Sequence, residues 1–161
     1  MDIFNETDYD FMSLALAQAA RAAEDGEVPA GAVLVGPDGL VAGLGRNRVI
    51  ELHDPTAHAE ILAMREAAKI AANYRLTGLT LYSTLEPCPM CLMAAVHARL
   101  ERVIFGAPEP RWGAAGSLID LAALPGLNHR LPIDGGLLAE ECGAMMQHFF
   151  KARRRGSSTN A

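Results

Sequence analysis

The sequence predicts a layered α/β domain, and three observations carry that expectation. Short apolar runs with strand character alternate with segments whose apolar residues recur at helical spacing. The 161 residues are 50% hydrophobic and 20% charged, which suits one ordinary buried core. No internal repeat and no linker-like stretch divides the chain, so residues 1–155 read as a single domain. The small polar stretch 156–161, Gly-Ser-Ser-Thr-Asn-Ala, reads as a disordered tail.

Each element has its own signal. Phe11, Leu14, Ala15, Gln18 and Ala22 share one helical face over Asp8 to about Glu24, with Thr7 or Asp8 as the expected cap. Ala30 to Val35 is an apolar strand, Pro37-Asp38-Gly39 a turn, and Leu40 to Leu44 the returning strand of a hairpin. Residues 45–56 form a polar loop. A helix is expected over Ala57 to Ala72 and a buried strand over Leu79 to Thr84. Pro89 opens a third helix to Ala98, where its missing N–H costs nothing. Arg102 to Phe105 is the next strand, followed by a glycine-containing loop over 106–116 and a short helical piece near Leu118 to Ala123. His129 to Ile133 reads as the last strand and Leu137 to about Arg154 as the closing helix.

Charge and composition narrow the function. No stretch approaches the roughly 18 uncharged apolar residues of a membrane span, and the acidic first residues lack a signal-sequence pattern. A cytoplasmic protein without a membrane partner is expected. Net charge is −5, but Lys151, Arg153, Arg154 and Arg155 concentrate four of the fourteen basic side chains. The other ten, set against nineteen acidic groups, leave residues 1–150 at −9. A general nucleic-acid binder would be basic over a whole face. A binder with local basic contacts fits, as does a solvated helix end whose cations suit the C-terminal dipole.

Chemistry concentrates in two segments. His58-Ala-Glu60 is followed by Pro87-Cys88-Pro-Met-Cys91, which together offer one imidazole and two thiolates. That set fills three of the four tetrahedral positions of a zinc ion and leaves the fourth for water. A purely structural site would use four protein ligands and would not need the carboxylate of Glu60, which suits proton transfer. A redox C-x-x-C is the other reading of Cys88 and Cys91, and the upstream His58 and Glu60 disfavour it. Both segments are expected at helix starts, where the positive dipole end favours thiolate and where residues two apart can still face one ion. Those helix starts are expected to face each other across one cleft, at the ends of adjacent strands. His53, His97, His129 and His148 read as surface or hydrogen-bonded histidines, and Cys142 as a small core residue. Arg111 and Trp112 lie in a glycine-containing loop, where the indole either stacks on a base or covers the core.

The H-x-E and P-C-x-x-C pairing is the signature of zinc-dependent nucleobase deaminases, and longer stretches make the resemblance more specific. Asn47-Arg48, His53-Asp-Pro-Thr-Ala-His-Ala-Glu60, Asn73-Tyr-Arg-Leu76, Thr84-Leu-Glu-Pro-Cys-Pro-Met-Cys91, Gly113-Ala-Ala-Gly-Ser-Leu118 and Phe149-Phe150 before a basic run extend it. Over Glu27 to about Arg155 the chain resembles the bacterial tRNA-specific adenosine deaminases, which make inosine at the wobble position. In the 106–110 stretch that family commonly has Asp where this chain has Glu109, and Pro108, Pro110 and Trp112 also depart from it. The resemblance implies a cytidine-deaminase-like three-layer sandwich with a mixed five-stranded sheet, and a homodimer with one zinc ion per subunit held by His58, Cys88 and Cys91. It implies Glu60 as proton carrier and Asn47 as a contact to the base, with backbone around Ala59 and Pro87 lining the pocket. The implied partner is a tRNA anticodon stem-loop, met by the 151–155 cations, with Arg48, Arg75, Arg111 and Trp112 as further candidates. A free nucleobase or nucleoside deaminase acting on guanine or cytosine shares the metal set. A non-catalytic zinc-stabilised RNA-binding module is the reading that leaves Glu60 incidental.

Overall fold

The computed structural model describes residues 2–158. In order along the chain come α1 (Glu6–Glu24), β1 (Gly31–Val35), β2 (Val41–Arg46), α2 (Ala59–Ala71), β3 (Thr80–Leu85), α3 (Pro89–His97), β4 (Arg102–Ala107), β5 (Ile133–Gly135) and α4 (Ala139–Ser158). The strands form one mixed sheet in the order β2-β1-β3-β4-β5. β1 runs antiparallel to β2 and β3, while β3, β4 and β5 are parallel.

Alternation along each strand divides the core in two. Ala32, Leu34, Leu81 and Val103 face α2 and α3, whose Ala63, Ala67, Leu92 and Ala95 pack on them. Val33, Val35, Tyr82 and Ile104 face the other way, against Met12, Ala15 and Cys142 of α1 and α4. The sheet is therefore the middle of three layers, as the resemblance implies. Cys142 is buried in the second core, in keeping with its packing role.

Two glycines set the position of α2. A Cβ on Gly43 or Gly45 of β2 would collide with the α2 backbone at Ala63 or Ala59 respectively, so only glycine lets the helix lie this close to the strand. The first turn of α2, which carries Glu60, is thereby pressed onto the sheet edge.

Several expectations change. The α1 cap is Asn5, which accepts the Asp8 N–H while the Asp8 carboxylate accepts the Asn5 N–H, a reciprocal capping box. The helix thus starts earlier than Asp8, and Asp8 is free to accept a hydrogen bond from Tyr82 (2.7 Å). The last strand begins at Ile133 because Pro132 has no N–H for the ladder, although its carbonyl still accepts from Val103. Near 118–123 there is no helix. The amides of Leu118 and Ile119 turn back to Gly113 and that of Leu121 to Ala114, and Ala115 bridges Asp120. α4 continues through Ser158, so Gly156 to Ser158 are helical where a disordered tail was expected. The rest of that tail, 159–161, lies outside the described residues. Finally, the strands preceding α2 and α3 are not adjacent, since β1 lies between β2 and β3.

Candidate active site

His58 and Cys88 occupy equivalent places, as the N-caps of α2 and α3, in extended backbone (φ −74°, ψ 153° and φ −74°, ψ 170°). Neither side chain makes a capping hydrogen bond, which leaves both for each other. The His58 Nδ1 lies 3.6 Å from Cys88 Sγ and 3.5 Å from Cys91 Sγ. Tetrahedral zinc with Zn–N of about 2.0–2.1 Å and Zn–S of about 2.3 Å places nitrogen and sulfur about 3.6 Å apart. The donor set and its spacing therefore fit zinc, through Nδ1 of the imidazole. Among the described residues no other group of His, Cys, Asp or Glu comes together this way, and none of the remaining histidines joins it. His129 instead bonds the Leu100 carbonyl.

The electrostatics of the cluster suit a cation. The Cys88 thiol is pushed down to about 4, first by the hydrogen bond from Cys91 and then by His58. His58 is raised above its ordinary value, chiefly by its hydrogen bond to Cys88. Cys91 moves strongly upward, through its hydrogen bond to Cys88 and through burial.

Glu60 stands next to this cluster as a neighbour and is buried (5% exposed). Its Oε2 is 3.4 Å from Cys91 Sγ, and its Oε1 is 2.9 Å from the Ser83 hydroxyl. Burial raises its pKa, which suits a group that must both take and return a proton. Ser83 is absent from the sequence-based candidates. In a strand that also carries Thr80, Tyr82 and Thr84, a serine gives no distinguishing sign.

Asn47 follows β2 on the face that carries Gly43 and Gly45, toward the α2 entrance. Its backbone N–H continues the ladder to Ala30, and its Nδ2 donates to the Val28 carbonyl at 3.3 Å. Its Oδ1 is buried without a hydrogen-bond partner, a state that costs free energy until something donates to it. Ala59 opens α2 beside His58. Pro87 adjoins Cys88, and its carbonyl accepts the Ala114 N–H at 2.8 Å.

Two buried glutamates outside the sequence-based candidates hold the flanking loops. Glu27 accepts the Ile50 and Glu51 amides at 2.9 Å each. Glu86 accepts donors from the 109–117 segment.

The candidate RNA contacts are scattered. Arg48 is near the site but is engaged by Glu51 through Nε and Nη2 at 2.8 and 2.9 Å. Arg75 lies past the far end of α2, against the Tyr74 ring, and is not brought to the cluster. Arg111 and Trp112 are exposed on the loop that contacts Pro87. Arg153 sits 4.8 Å over the Phe149 ring and donates to the Gly26 carbonyl at 3.0 Å, while Lys151, Arg154 and Arg155 are exposed on the same helix end.

Comparison with known proteins agrees with this site. Residues 5–107 match the cytidine and deoxycytidylate deaminase zinc-binding region. The tRNA-specific adenosine deaminase of Haemophilus influenzae is 46% identical over 150 residues, covering 93% of this chain and 87% of the relative. That of Bacillus subtilis is 44% identical, covering 90% and 89%. A solved structure from a study of A-to-I editing by tRNA:A34 deaminases at the wobble position of transfer RNA has 43% identity and a TM-score of 0.81. It covers 84% of this chain and 98% of that one.

Proposed function

The chain belongs to the cytidine and deoxycytidylate deaminase family, and on that premise we propose that it hydrolytically deaminates adenosine to inosine at the wobble position of a tRNA anticodon. The observation that carries the chemistry is Glu60: a buried carboxylate against the ligand cluster that is itself not one of the three metal donors. The relatives' similarity over nearly their whole length carries the substrate.

His58, Cys88 and Cys91 would hold zinc, which would supply Lewis acidity and make water nucleophilic near neutral pH. Glu60 takes a proton from the attacking water and delivers it to the ring nitrogen beside C6. After the C6–O bond has formed, it takes the second proton from the added hydroxyl and passes it to the amine, so that the C6–N bond breaks and ammonia leaves. Ser83 fixes the carboxylate that makes these transfers. Asn47, with one acceptor still unpaired, orients the extruded base, and the Ala59 and Pro87 backbone lines its pocket. RNA enters as a splayed loop, since an acidic body at −5 overall does not draw in a polyanion by its field.

The working unit is a homodimer in the cytoplasm. Leu118, Ile119 and Leu124 are exposed apolar side chains of one chain segment, available for a subunit contact. No helix among the described residues is long and apolar enough to cross a membrane.

Incubating the purified protein separately with a wobble-adenosine tRNA, guanine and cytosine, and measuring ammonia and inosine, tests the reading. Inosine in the tRNA with no release from the free bases is expected. Ammonia from guanine or cytosine alone assigns a nucleobase deaminase, and no ammonia from any substrate leaves a zinc-stabilised binding module.

A further inference from the structure

The loop that follows β4 carries exposed side chains yet is held by a single buried acid. Glu86 is 4% exposed. Its Oε1 accepts the Glu109 amide (3.2 Å) and the Ser117 hydroxyl, and its Oε2 accepts the Ala115 (2.9 Å) and Ser117 (3.2 Å) amides. A Cβ on Gly113 would collide with this carboxylate, so the loop closes around it only with glycine there. Apolar packing does not explain the order of residues 108–112, four of which are exposed. Several backbone amides converging on one buried carboxyl group replace the missing packing.

At the tip of this loop is Trp112, the only tryptophan of the chain, 65% exposed and so not a lid over the core. It lies two residues before Ala114, whose amide binds the carbonyl of Pro87, next to the metal ligand Cys88. Two residues of chain reach at most about 7 Å, which keeps the Trp112 backbone close to the Pro87–Cys88 segment. Arg111 beside it, its amide held by Glu109 Oε1 (2.9 Å), adds a cation to an otherwise acidic body. An exposed indole next to a guanidinium on a fixed backbone is the arrangement that stacks an unpaired nucleobase.

Resting on the RNA substrate proposed above, we propose that Trp112 stacks on a loop base neighbouring the reacting adenosine, and that Glu86 is the positioning residue that fixes Trp112 for it. Glu86 touches neither substrate nor metal. It acts through the backbone amides of residues 109–117, and the affinity for the stem-loop depends on that clamp.

The test uses the zinc-loaded full chain and an anticodon stem-loop, with adenosine at the wobble position for turnover and guanosine there for binding. Binding of the guanosine stem-loop to wild type should quench Trp112 fluorescence. Glu86→Gln keeps the shape but offers amide hydrogens to amide hydrogens. It should raise KM about tenfold, the scale of one lost base–aromatic stack, with kcat within about threefold and zinc retained. Ser117→Ala, a milder change that guards against misfolding, should move KM the same way. Trp112→Ala should match Glu86→Gln, and Trp112→Phe should restore most of the affinity. Unchanged KM in Glu86→Gln and Trp112→Ala, or undiminished quenching in Glu86→Gln, overturns the proposal. So does a dimer that dissociates in Trp112→Ala with RNA affinity intact. A wild type that quenches on RNA but forms no inosine sinks the deaminase reading and leaves the stacking site standing.

Discussion

The Ser83 hydroxyl stands 2.9 Å from Glu60 Oε1 and 2.8 Å from the Leu85 carbonyl, so one proton is shared between the carboxylate and the end of β3. This contact fixes where Glu60 points, and Ser83→Ala removes it without touching a metal ligand. A hydrogen bond to a charged group is worth about 1.5–3 kcal/mol, so kcat should fall roughly 10- to 100-fold. Zinc content should not change. Steady-state kinetics beside elemental analysis check both, and an unaltered kcat removes Ser83 from the machinery.

Zinc content separates the cysteines. Cys88→Ala should lose most of the metal and Cys142→Ala should keep it, because Cys142 is in the other core. Binding should also release protons at neutral pH. Cys91 is held strongly above its ordinary pKa and so must give up its proton, whereas Cys88, at about 4, is already ionised, and the raised His58 adds to the release wherever it is charged. Zinc affinity therefore weakens as pH falls through the raised His58 value. Calorimetry in buffers of different ionisation heat measures the protons released, and a count of zero contradicts this assignment.

Gly45→Ala tests how the start of α2 places the ligand His58. The added methyl meets the Ala59 carbonyl at the first turn of the helix, and overpacking of this kind costs about 1–3 kcal/mol. Stability in urea and zinc affinity should fall together. Glycine to alanine at Gly39, where a Cβ meets nothing but φ is +80°, should reduce stability alone.

The basic end of α4 has a structural contact and a proposed RNA contact to separate. Arg153 braces the Gly26 carbonyl, and the same segment offers the Val28 carbonyl to Asn47. Truncation after Phe150 should weaken stem-loop binding and flatten its dependence on salt, since fewer counterions are released. Arg153→Ala alone should reproduce part of the binding loss and also lower thermal stability. Tight, salt-steep binding by a folded truncated chain reduces this end to a solvated helix terminus.

The metal set was fully legible because ligand chemistry ties residue type to spacing, and the helix starts followed from Pro89 and the H-x-E geometry. The layered fold was legible in the alternation of strand and helix patterns. The order of strands was not, because β1 enters between β2 and β3 through long-range pairing that leaves no local mark. Ser83, Glu27 and Glu86 escaped for a related reason. What they bind are backbone amides and a buried carboxylate from distant segments, which sequence does not place. Arg75 looked equivalent to Arg48 in sequence, yet the length of α2 separates them.

Glu60→Ala is the most direct test of the central claim, that a buried carboxylate outside the ligand set moves the protons. Inosine formation in a wobble-adenosine stem-loop should fall by at least the roughly 10²–10⁴-fold usual for a general acid–base group, with one zinc per chain still bound. Turnover within a few-fold of wild type, or loss of zinc along with activity, contradicts the account.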